Sequence, residues 1–188
     1  MLDIEQPASR QGRIIGRASH KRKRSMTDPR APYEPQLHIV LYQPEIPYNT
    51  GSVGRTCVAV GAKLWLVRPL GFRLDDYYLR RAGLDYWERL VWQVVDDWAT
   101  LTAQLPTHRR WLFTKKASQS YLDAAYEPGD VLVFGSESSG LPDAILEPHT
   151  DSQLRIPTRS DVRSLNLSNA VAVAAYEVQR QWRDRSFS

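Results

Sequence analysis

The sequence predicts an α/β fold, with a mostly parallel sheet flanked by helices, and three observations support this prediction. Short apolar runs recur between residues 37 and 156, and each has the length of a buried strand. Segments with helical character separate these runs, and such alternation is typical of a parallel sheet. The composition, with 42% hydrophobic residues, fits one globular domain of this size.

The first half of this domain is predicted as strand, helix, strand, helix, strand. Leu37–Tyr42 (LHIVLY) has the pattern of a buried strand. Asn49 can cap a helix that runs to about Val60, and Gly61 suits the end of that helix. The second and third strands are residues 63–68 and 90–95. Between them, residues 75–82 are predicted as a helix whose first turn carries acidic side chains, which the helix dipole favours.

The second half is predicted to end in the longest helix. Its elements in order are a short helix at 97–104, strands at 110–114 and 131–135, a helical turn after Pro142, a short strand at 153–156 and a helix at 164–182. The single cysteine, Cys57, lies among valines of the first helix, so we expect a buried thiol and not a nucleophile.

The charge of the chain is unevenly distributed. The formal net charge is +4, and all of it lies in residues 1–36, because residues 37–188 contain 17 basic and 17 acidic side chains. This balance excludes a uniformly basic nucleic-acid domain. Residues 1–36 hold several prolines and few large apolar side chains, so we predict a disordered segment there and a folded domain at 37–188. The segment is a solvated leader, a mobile arm that contacts nucleic-acid phosphates, or, as a third and more distant interpretation, a nuclear-import signal at residues 21–24.

Several classes of protein and of site are disfavoured. No apolar run approaches the roughly 18 residues that span a bilayer, and no secretory signal is visible, so we expect a cytoplasmic protein without membrane contact. The four histidines are isolated, which predicts no metal site. No GxGxxG follows the first strand, no GxxxxGK[ST] is present, and the glycines at 135–140 have the wrong spacing for a GxSxG elbow.

Three loop segments follow predicted strands, where ligands bind in open parallel sheets. The segment 44–55 (PEIPYNTGSVGR) is either an anion-binding helix start or an ordinary helix with a surface Arg55. The segment 134–142 (FGSESSGLP) is either a long turn or a loop whose Gly135 allows close approach to a ligand. The segment 155–169 (RIPTRSDVRSLNLSN) places polar groups at the start of an apolar helix, facing either a ligand or a dimer interface.

Taken together and in this order, the three segments resemble the three motifs of the SPOUT-superfamily RNA 2′-O-methyltransferases. The resemblance covers residues 37–182 and is closest to the single-domain family that methylates the ribose of the tRNA wobble nucleotide. The intervening strings PLGF at 69–72 and LRRAGLDYW at 79–87 also look like this family. Three motifs in the correct order and spacing are far more specific than any one of them.

The resemblance implies a fold and a cofactor. In this family the C-terminal segment passes through a loop and forms a deep trefoil knot, a rare exception to the usual unknotted connections. The knotted loops bind S-adenosyl-L-methionine, and the product is S-adenosyl-L-homocysteine. By position, the cofactor contacts fall on Phe113, Gly135, Ile156 and Ser164, with Leu165 as a neighbour.

The resemblance also implies catalytic residues, a partner and a substrate. Arg55 has the key role with Asn49 nearby, while Glu137, Ser164 and Asn166 shape the site. Arginine is a poor free base, so we expect Arg55 to orient the phosphate and the hydroxyl, and any role as base to need the RNA phosphate. The family works as a homodimer through its first and last helices, and both subunits complete each site.

The predicted function is therefore S-adenosyl-L-methionine-dependent 2′-O-methylation of the wobble ribose of tRNA, on cytidine or a modified uridine. The alternatives are a SPOUT enzyme that acts on another tRNA or rRNA ribose, and a non-catalytic RNA-binding dimer. Folding is expected to cluster the basic residues of the domain, which are Arg55, Arg80, Arg81, Arg155, Arg159 and Arg163.

Overall fold

The computed structural model describes residues 35–74, 87–161 and 164–185. The strands in this part of the chain are β1 (Leu37–Tyr42), β2 (Ala62–Val67), β3 (Trp92–Val95), β4 (Arg110–Phe113), β5 (Val131–Phe134) and β6 (Gln153–Leu154). The helices are α1 (Pro47–Val60), α2 (Trp98–Gln104), α3 (Asp143–Leu146) and α4 (Leu167–Arg185), with 3₁₀ segments at Tyr121–Asp123 and Glu147–Ser152.

The six strands form one sheet in the order β3-β2-β1-β5-β4-β6, and every pairing is parallel. β1 lies in the middle, with Ile39 opposite Leu64 on one side and Leu132 on the other. From β1 the chain moves outward to β2 and β3, and it then crosses to β4 on the far side of β5. The direction of winding therefore changes between β1 and β5, which is where open parallel sheets form a ligand crevice.

Apolar side chains cover both faces of the sheet. On β1, Ile39 and Leu41 point to one face, where α1 and α4 pack, and Val40 points to the other, where α2 and α3 pack. All three side chains are fully buried. Burial on both faces explains why the strands are continuous apolar runs without alternating polar residues.

The predicted strands agree with the observed strands to within two residues at each end. The prediction for the start of α1 was wrong: the helix begins at Pro47, Ile46 occupies the capping position, and Asn49 is buried inside the first turn. Proline favours the first helical position because its ring fixes φ and its missing N–H is not needed there. Gly61 ends the helix with φ of 70°, as predicted.

The last helix begins later than predicted. α4 starts at Leu167, because the side chain of Asn166 accepts a hydrogen bond from the Ser168 N–H in the manner of a cap. Ser164 therefore precedes the helix. The predicted helix at 75–82 and the segment 1–34 lie outside the described residues, and the two 3₁₀ segments were not predicted.

Cys57 is fully buried on α1, as predicted, and burial raises the pKa of its thiol far above the ordinary value. Among the described helices, none is long and apolar enough to cross a membrane. In the same residues, no group of three or more potential ligands from His, Cys, Asp and Glu is arranged to hold a metal ion.

Candidate active site

A cavity of about 490 Å³ opens at the carboxyl ends of the central strands. Its walls come from the start of α1, the loop after β4, residues 134–141 after β5, and the segment from Ile156 to Ala170 that leads into α4. The three loop segments singled out in the sequence thus meet at one place. They meet because the strands before them, β1, β5 and β6, run parallel in one sheet, so their carboxyl ends lie at the same edge.

The five predicted cofactor-binding residues, Phe113, Gly135, Ile156, Ser164 and Leu165, all line this cavity. Phe113 ends β4 and its ring stacks on that of Phe134, which ends β5, with ring centroids 4.4 Å apart and planes 16° apart. The cavity therefore has an apolar floor at the strand ends and polar loops around it.

Gly135 allows the loop after β5 to close on itself. A Cβ at this position would lie 2.0 Å from the carbonyl carbon of Gly140 and 2.2 Å from the nitrogen of Leu141. The loop is closed by two backbone hydrogen bonds between Ser136 and Gly140, and Gly140 has a φ of 72°. The close approach at Gly135 is thus to the loop's own backbone, which is what holds the loop at the cavity wall.

Glu137 ties this loop to the start of α1. Its carboxylate accepts hydrogen bonds from the Glu45 N–H at 2.8 Å, the Ile46 N–H at 3.2 Å and the Asn49 side-chain amide at 2.9 Å. A carboxylate at a helix N-terminus satisfies backbone donors that the helix leaves unpaired. Glu137 is therefore occupied as an acceptor for three donors.

Asn49 continues the connection to the third segment. Its Oδ1 accepts a hydrogen bond from Asn166 Nδ2 at 2.9 Å, and Asn166 Oδ1 in turn accepts from the N–H and the hydroxyl of Ser168. Asn49 is 3% exposed, and both the nitrogen and the oxygen of its side-chain amide have partners within the protein. Three of the four predicted catalytic residues, Glu137, Asn49 and Asn166, thus form one chain of hydrogen bonds.

Arg55 is the predicted site residue that the structure does not bring to this cavity. It lies on the exposed side of α1, and it is not among the residues that line the cavity. Six residues separate Arg55 from Asn49, and this spacing turns the side chains about 120° apart around the helix. The cavity and Arg55 of one chain therefore face different directions.

Sequence reasoning missed two lysines. Lys115 and Lys116 follow Thr114 in the loop after β4 and line the cavity, and Lys116 Nζ lies 2.6 Å from Asp143 Oδ1. The signal was a pair of cations immediately after a predicted strand. Of the predicted basic cluster, Arg155 and Arg159 are exposed near the third segment, whereas Arg80, Arg81 and Arg163 lie outside the described residues.

The model of the SpoU rRNA Methylase family matches residues 36–176 of the chain. The chain belongs to this family. A tRNA (cytidine(34)-2′-O)-methyltransferase of Methylovorus glucosotrophus (strain SIP3-4) is 48% identical over 144 residues, which are 76% of this chain and 94% of the relative. The matched region thus spans nearly the whole length of that relative.

Two solved structures are similar to the chain in fold. One described as giving structural insights into the 2-OH methylation of C/U34 on tRNA is 47% identical, with a TM-score of 0.76 over 79% of this chain and 97% of the other. The SpoU methyltransferase AviRb of Streptomyces viridochromogenes, in complex with AdoMet, has a TM-score of 0.74 at 21% identity, over 81% of this chain and 63% of the other. The second likeness shows the shared fold.

The cavity fits the methyl donor that this SpoU family implies. Its size lies within the range of roughly 300–1,000 Å³ that encloses small ligands and cofactors. Phe113, Phe134 and Ile156 offer apolar surface for a flat base, and the loops offer the hydroxyls of Ser136 and Ser164 for polar groups.

Proposed function

We propose that this SpoU-family chain is an S-adenosyl-L-methionine-dependent methyltransferase that modifies the 2′-oxygen of the ribose at position 34 of tRNA, the wobble nucleotide. The observation that carries the proposal is the meeting of all three motif segments at one cavity, in a chain that matches nearly the full length of a relative bearing this name. A cytidine or uridine at position 34 follows from the description of the similar solved structure.

The cavity residues bind and orient the methyl donor. Phe113, Gly135, Ile156, Ser164 and Leu165 supply the wall against which it lies. Bound S-adenosyl-L-methionine supplies an electrophilic methyl group on a sulfonium. The chain must hold the ribose hydroxyl in line with that methyl group, because positioning of two reactants is a large part of such catalysis.

Glu137, Asn49 and Asn166 act by positioning. Glu137 already accepts three hydrogen bonds, from Glu45, Ile46 and Asn49, so its carboxylate holds the loops in place and is not the group that removes the ribose proton. Asn49 and Asn166 extend the same support to the segment before α4. The proton acceptor must therefore be sought outside this chain of hydrogen bonds.

Arg55 is proposed to act at the cavity of a second subunit. α1 and α4 pack against each other, and each presents exposed residues to solvent: Tyr48 and Arg55 on α1, and Val173 and Tyr176 on α4. Tyr48 is 63% exposed and Tyr176 is 58% exposed, so both rings leave surface available for contact with another chain. We infer a homodimer through these two helices, which would carry Arg55 to the partner's site.

At that site Arg55 is suited to orient anionic and hydroxyl oxygens. A guanidinium stays protonated in proteins, so it is a donor and a poor base. It would bind a phosphate next to the target ribose and align the 2′-hydroxyl, and any proton removal would involve that phosphate. A tRNA substrate implies action in the cytoplasm. The trefoil knot and the disordered segment 1–36 stay predictions.

The test is methyl transfer from labelled S-adenosyl-L-methionine to total tRNA, followed by mapping of the methylated nucleoside. Methylation at nucleotide 34 is expected. Methyl transfer confined to another ribose would favour the alternative enzyme, and RNA binding without transfer would favour a non-catalytic dimer.

A further inference from the structure

Lys116 lies between two cavities. It lines the cavity assigned to the methyl donor, and it also lines a second cavity of about 370 Å³. The second cavity is formed by residues 116–119 from the loop after β4 and by Thr150, Asp151 and Gln153 beside β6. Lys116 is thus a residue that the linings of the two cavities share, and a ligand that occupies both cavities can contact it from either side.

The lining of the second cavity is polar and of mixed charge. Ser118, Gln119, Thr150 and Gln153 offer neutral donors and acceptors, and Asp151 adds a carboxylate. A carboxylate repels a phosphate but accepts hydrogen bonds from the exocyclic amino groups of nucleobases. The cavity is thus better suited to the edge of a base than to an anion, and the cation at its border is Lys116.

In RNA, the methylated ribose is followed by a phosphate and then by the next base, which is the same order as the first cavity, Lys116 and the second cavity. The 2′-hydroxyl stands on the ribose carbon next to the one whose oxygen carries the 3′-phosphate, and that phosphate leads to the following nucleotide. Given the proposed function, we propose that Lys116 binds the phosphate on the 3′ side of the methylated ribose, and that the second cavity receives the base of the following nucleotide.

The ion pair between Lys116 and Asp143 does not oppose this role. Their side chains are 67% and 65% exposed, and exposed pairs of this kind contribute little to stability. The pair holds the ammonium of Lys116 beside the first residue of α3 when no RNA is bound. Because both groups are solvated, Lys116 can exchange the carboxylate for a phosphate at small cost.

The first experiment measures tRNA binding against salt concentration for the full chain and four variants. Lys116→Gln is expected to weaken binding about tenfold at low salt and to lower the slope of log Kd against log salt by about 1, as for loss of one phosphate contact. Lys116→Arg should restore most of the affinity. Asp143→Asn breaks the same ion pair but keeps the cation, so it should bind tRNA at least as well as the wild type.

The matched charge control is Arg89→Gln, which removes one cation before β3, at the opposite end of the strands. It should leave the salt slope unchanged. The proposal is overturned if Asp143→Asn weakens binding as much as Lys116→Gln, because the effect would then come from the ion pair. The proposal is also overturned if Lys116→Gln weakens the binding of S-adenosyl-L-methionine but leaves the salt slope of tRNA binding unchanged. Lys116 would then contact the cofactor's carboxylate.

The second experiment tests the base. A tRNA in which nucleotide 35 is abasic should bind the wild type about tenfold more weakly, since one lost base contact costs about 1–3 kcal/mol. Ser118→Phe fills the second cavity, so it should weaken binding of intact tRNA and show no further loss with the abasic tRNA. If the loss of affinity from Ser118→Phe and the loss from the abasic tRNA add up in the combined experiment, the base does not occupy the second cavity and that part of the proposal is overturned.

Both experiments are judged against wild-type methyl transfer at nucleotide 34. If the wild type does not methylate tRNA, the proposed function fails. If the wild type methylates nucleotide 34 but the Lys116 and Ser118 variants bind tRNA as the control variants do, the proposed function stands and only the subsite fails.

Discussion

Asn166 donates a hydrogen bond from its side-chain amide to the side-chain oxygen of Asn49, at 2.9 Å and across 117 residues of sequence. Asn49 passes the connection on to Glu137 at 2.9 Å. The three motif segments of this SpoU-family chain are thus held together by side chains and not only by the sheet. The geometry of the cavity that we propose for the methyl donor depends on this chain of hydrogen bonds.

Asn166→Asp tests the connection directly. The variant keeps the oxygen that accepts from Ser168, so the start of α4 stays capped, but it loses the donor to Asn49 and places a carboxylate beside a buried amide oxygen. We expect kcat/KM to fall by about 10- to 100-fold, which corresponds to about 1.4–2.8 kcal/mol. Thermal unfolding should change little, because an acidic group is favourable at a helix N-terminus.

The control for Asn166→Asp is Asn169→Asp, a neighbour that is exposed on α4. Steady-state methylation assays and melting curves on both variants decide the question. Full activity in Asn166→Asp would show that the bond to Asn49 does not position the site.

The fold of the sheet was predictable because each strand is an apolar run bounded by polar or turn residues. The meeting of the three loops was also predictable, because the carboxyl ends of parallel strands in one sheet lie at the same edge. The link from Asn49 to Glu137 and Asn166 was not, since no local pattern encodes a contact between residues 88 and 117 positions apart.

The start of α1 shows a second limit. Asn49 has the residue type of a cap, but the helix begins at Pro47, three residues earlier than a cap at Asn49 would place it, and the asparagine is buried. Lys116 shows a third limit of prediction from the sequence. A lysine after a strand has the same local sequence pattern whether it faces solvent or lines two cavities. The direction of Arg55 relative to Asn49 could be predicted once both residues were placed in one helix, because their spacing along the helix turns the two side chains apart.

Gly135→Ala should be among the most damaging substitutions in the site. Its Cβ would meet the backbone of Gly140 and Leu141 near 2 Å, and backbone cannot move aside as a flexible side chain can. We expect a loss of about 3 kcal/mol in the free energy of unfolding, at the upper end for overpacking, together with loss of cofactor binding. Chemical denaturation and cofactor titration measure both.

Gly129→Ala is the matched control for the Gly135 substitution. It has a φ of 94° but nothing within 4 Å of the added methyl group, so its cost is backbone strain alone, about 1–2 kcal/mol, and cofactor binding should be kept. Equal damage from the two variants would contradict the close approach at Gly135.

His38 makes stability depend on pH. Its Nδ1 accepts a hydrogen bond from the Trp65 indole, and burial, followed by the neighbouring His108 and Lys63, lowers the pKa of His38 to about 4. The unfolded chain, with an ordinary pKa of 6.5, binds the proton first, so folded stability falls as the pH drops from about 6.5 to about 4. The loss is at most about 3 kcal/mol.

Denaturation between pH 4 and 7 checks this dependence. His38→Gln removes the titrating group but keeps an acceptor for the indole, so its stability should change less across this range than that of the wild type. An unchanged slope in His38→Gln would assign the pH dependence to other groups.

Arg55→Ala is expected to abolish methyl transfer while S-adenosyl-L-methionine still binds, because Arg55 does not line the cavity of its own chain. The proposed dimer makes a stronger prediction. Ile156→Trp fills the cavity, and a mixture of Arg55→Ala with Ile156→Trp forms heterodimers that contain one intact site. About a quarter of wild-type activity should return if subunits exchange randomly. No recovery from two separately inactive variants would mean that Arg55 acts within its own chain.

The most direct test of the central claim is the modification state of tRNA nucleotide 34. Unmodified tRNA is incubated with the wild-type protein and S-adenosyl-L-methionine, and nuclease fragments that contain the anticodon are weighed by mass spectrometry. The proposed function predicts one added methyl group on the ribose of nucleotide 34, and none when Arg55→Ala replaces the wild type. A fragment that stays unmethylated while another ribose gains the methyl group would contradict the assignment.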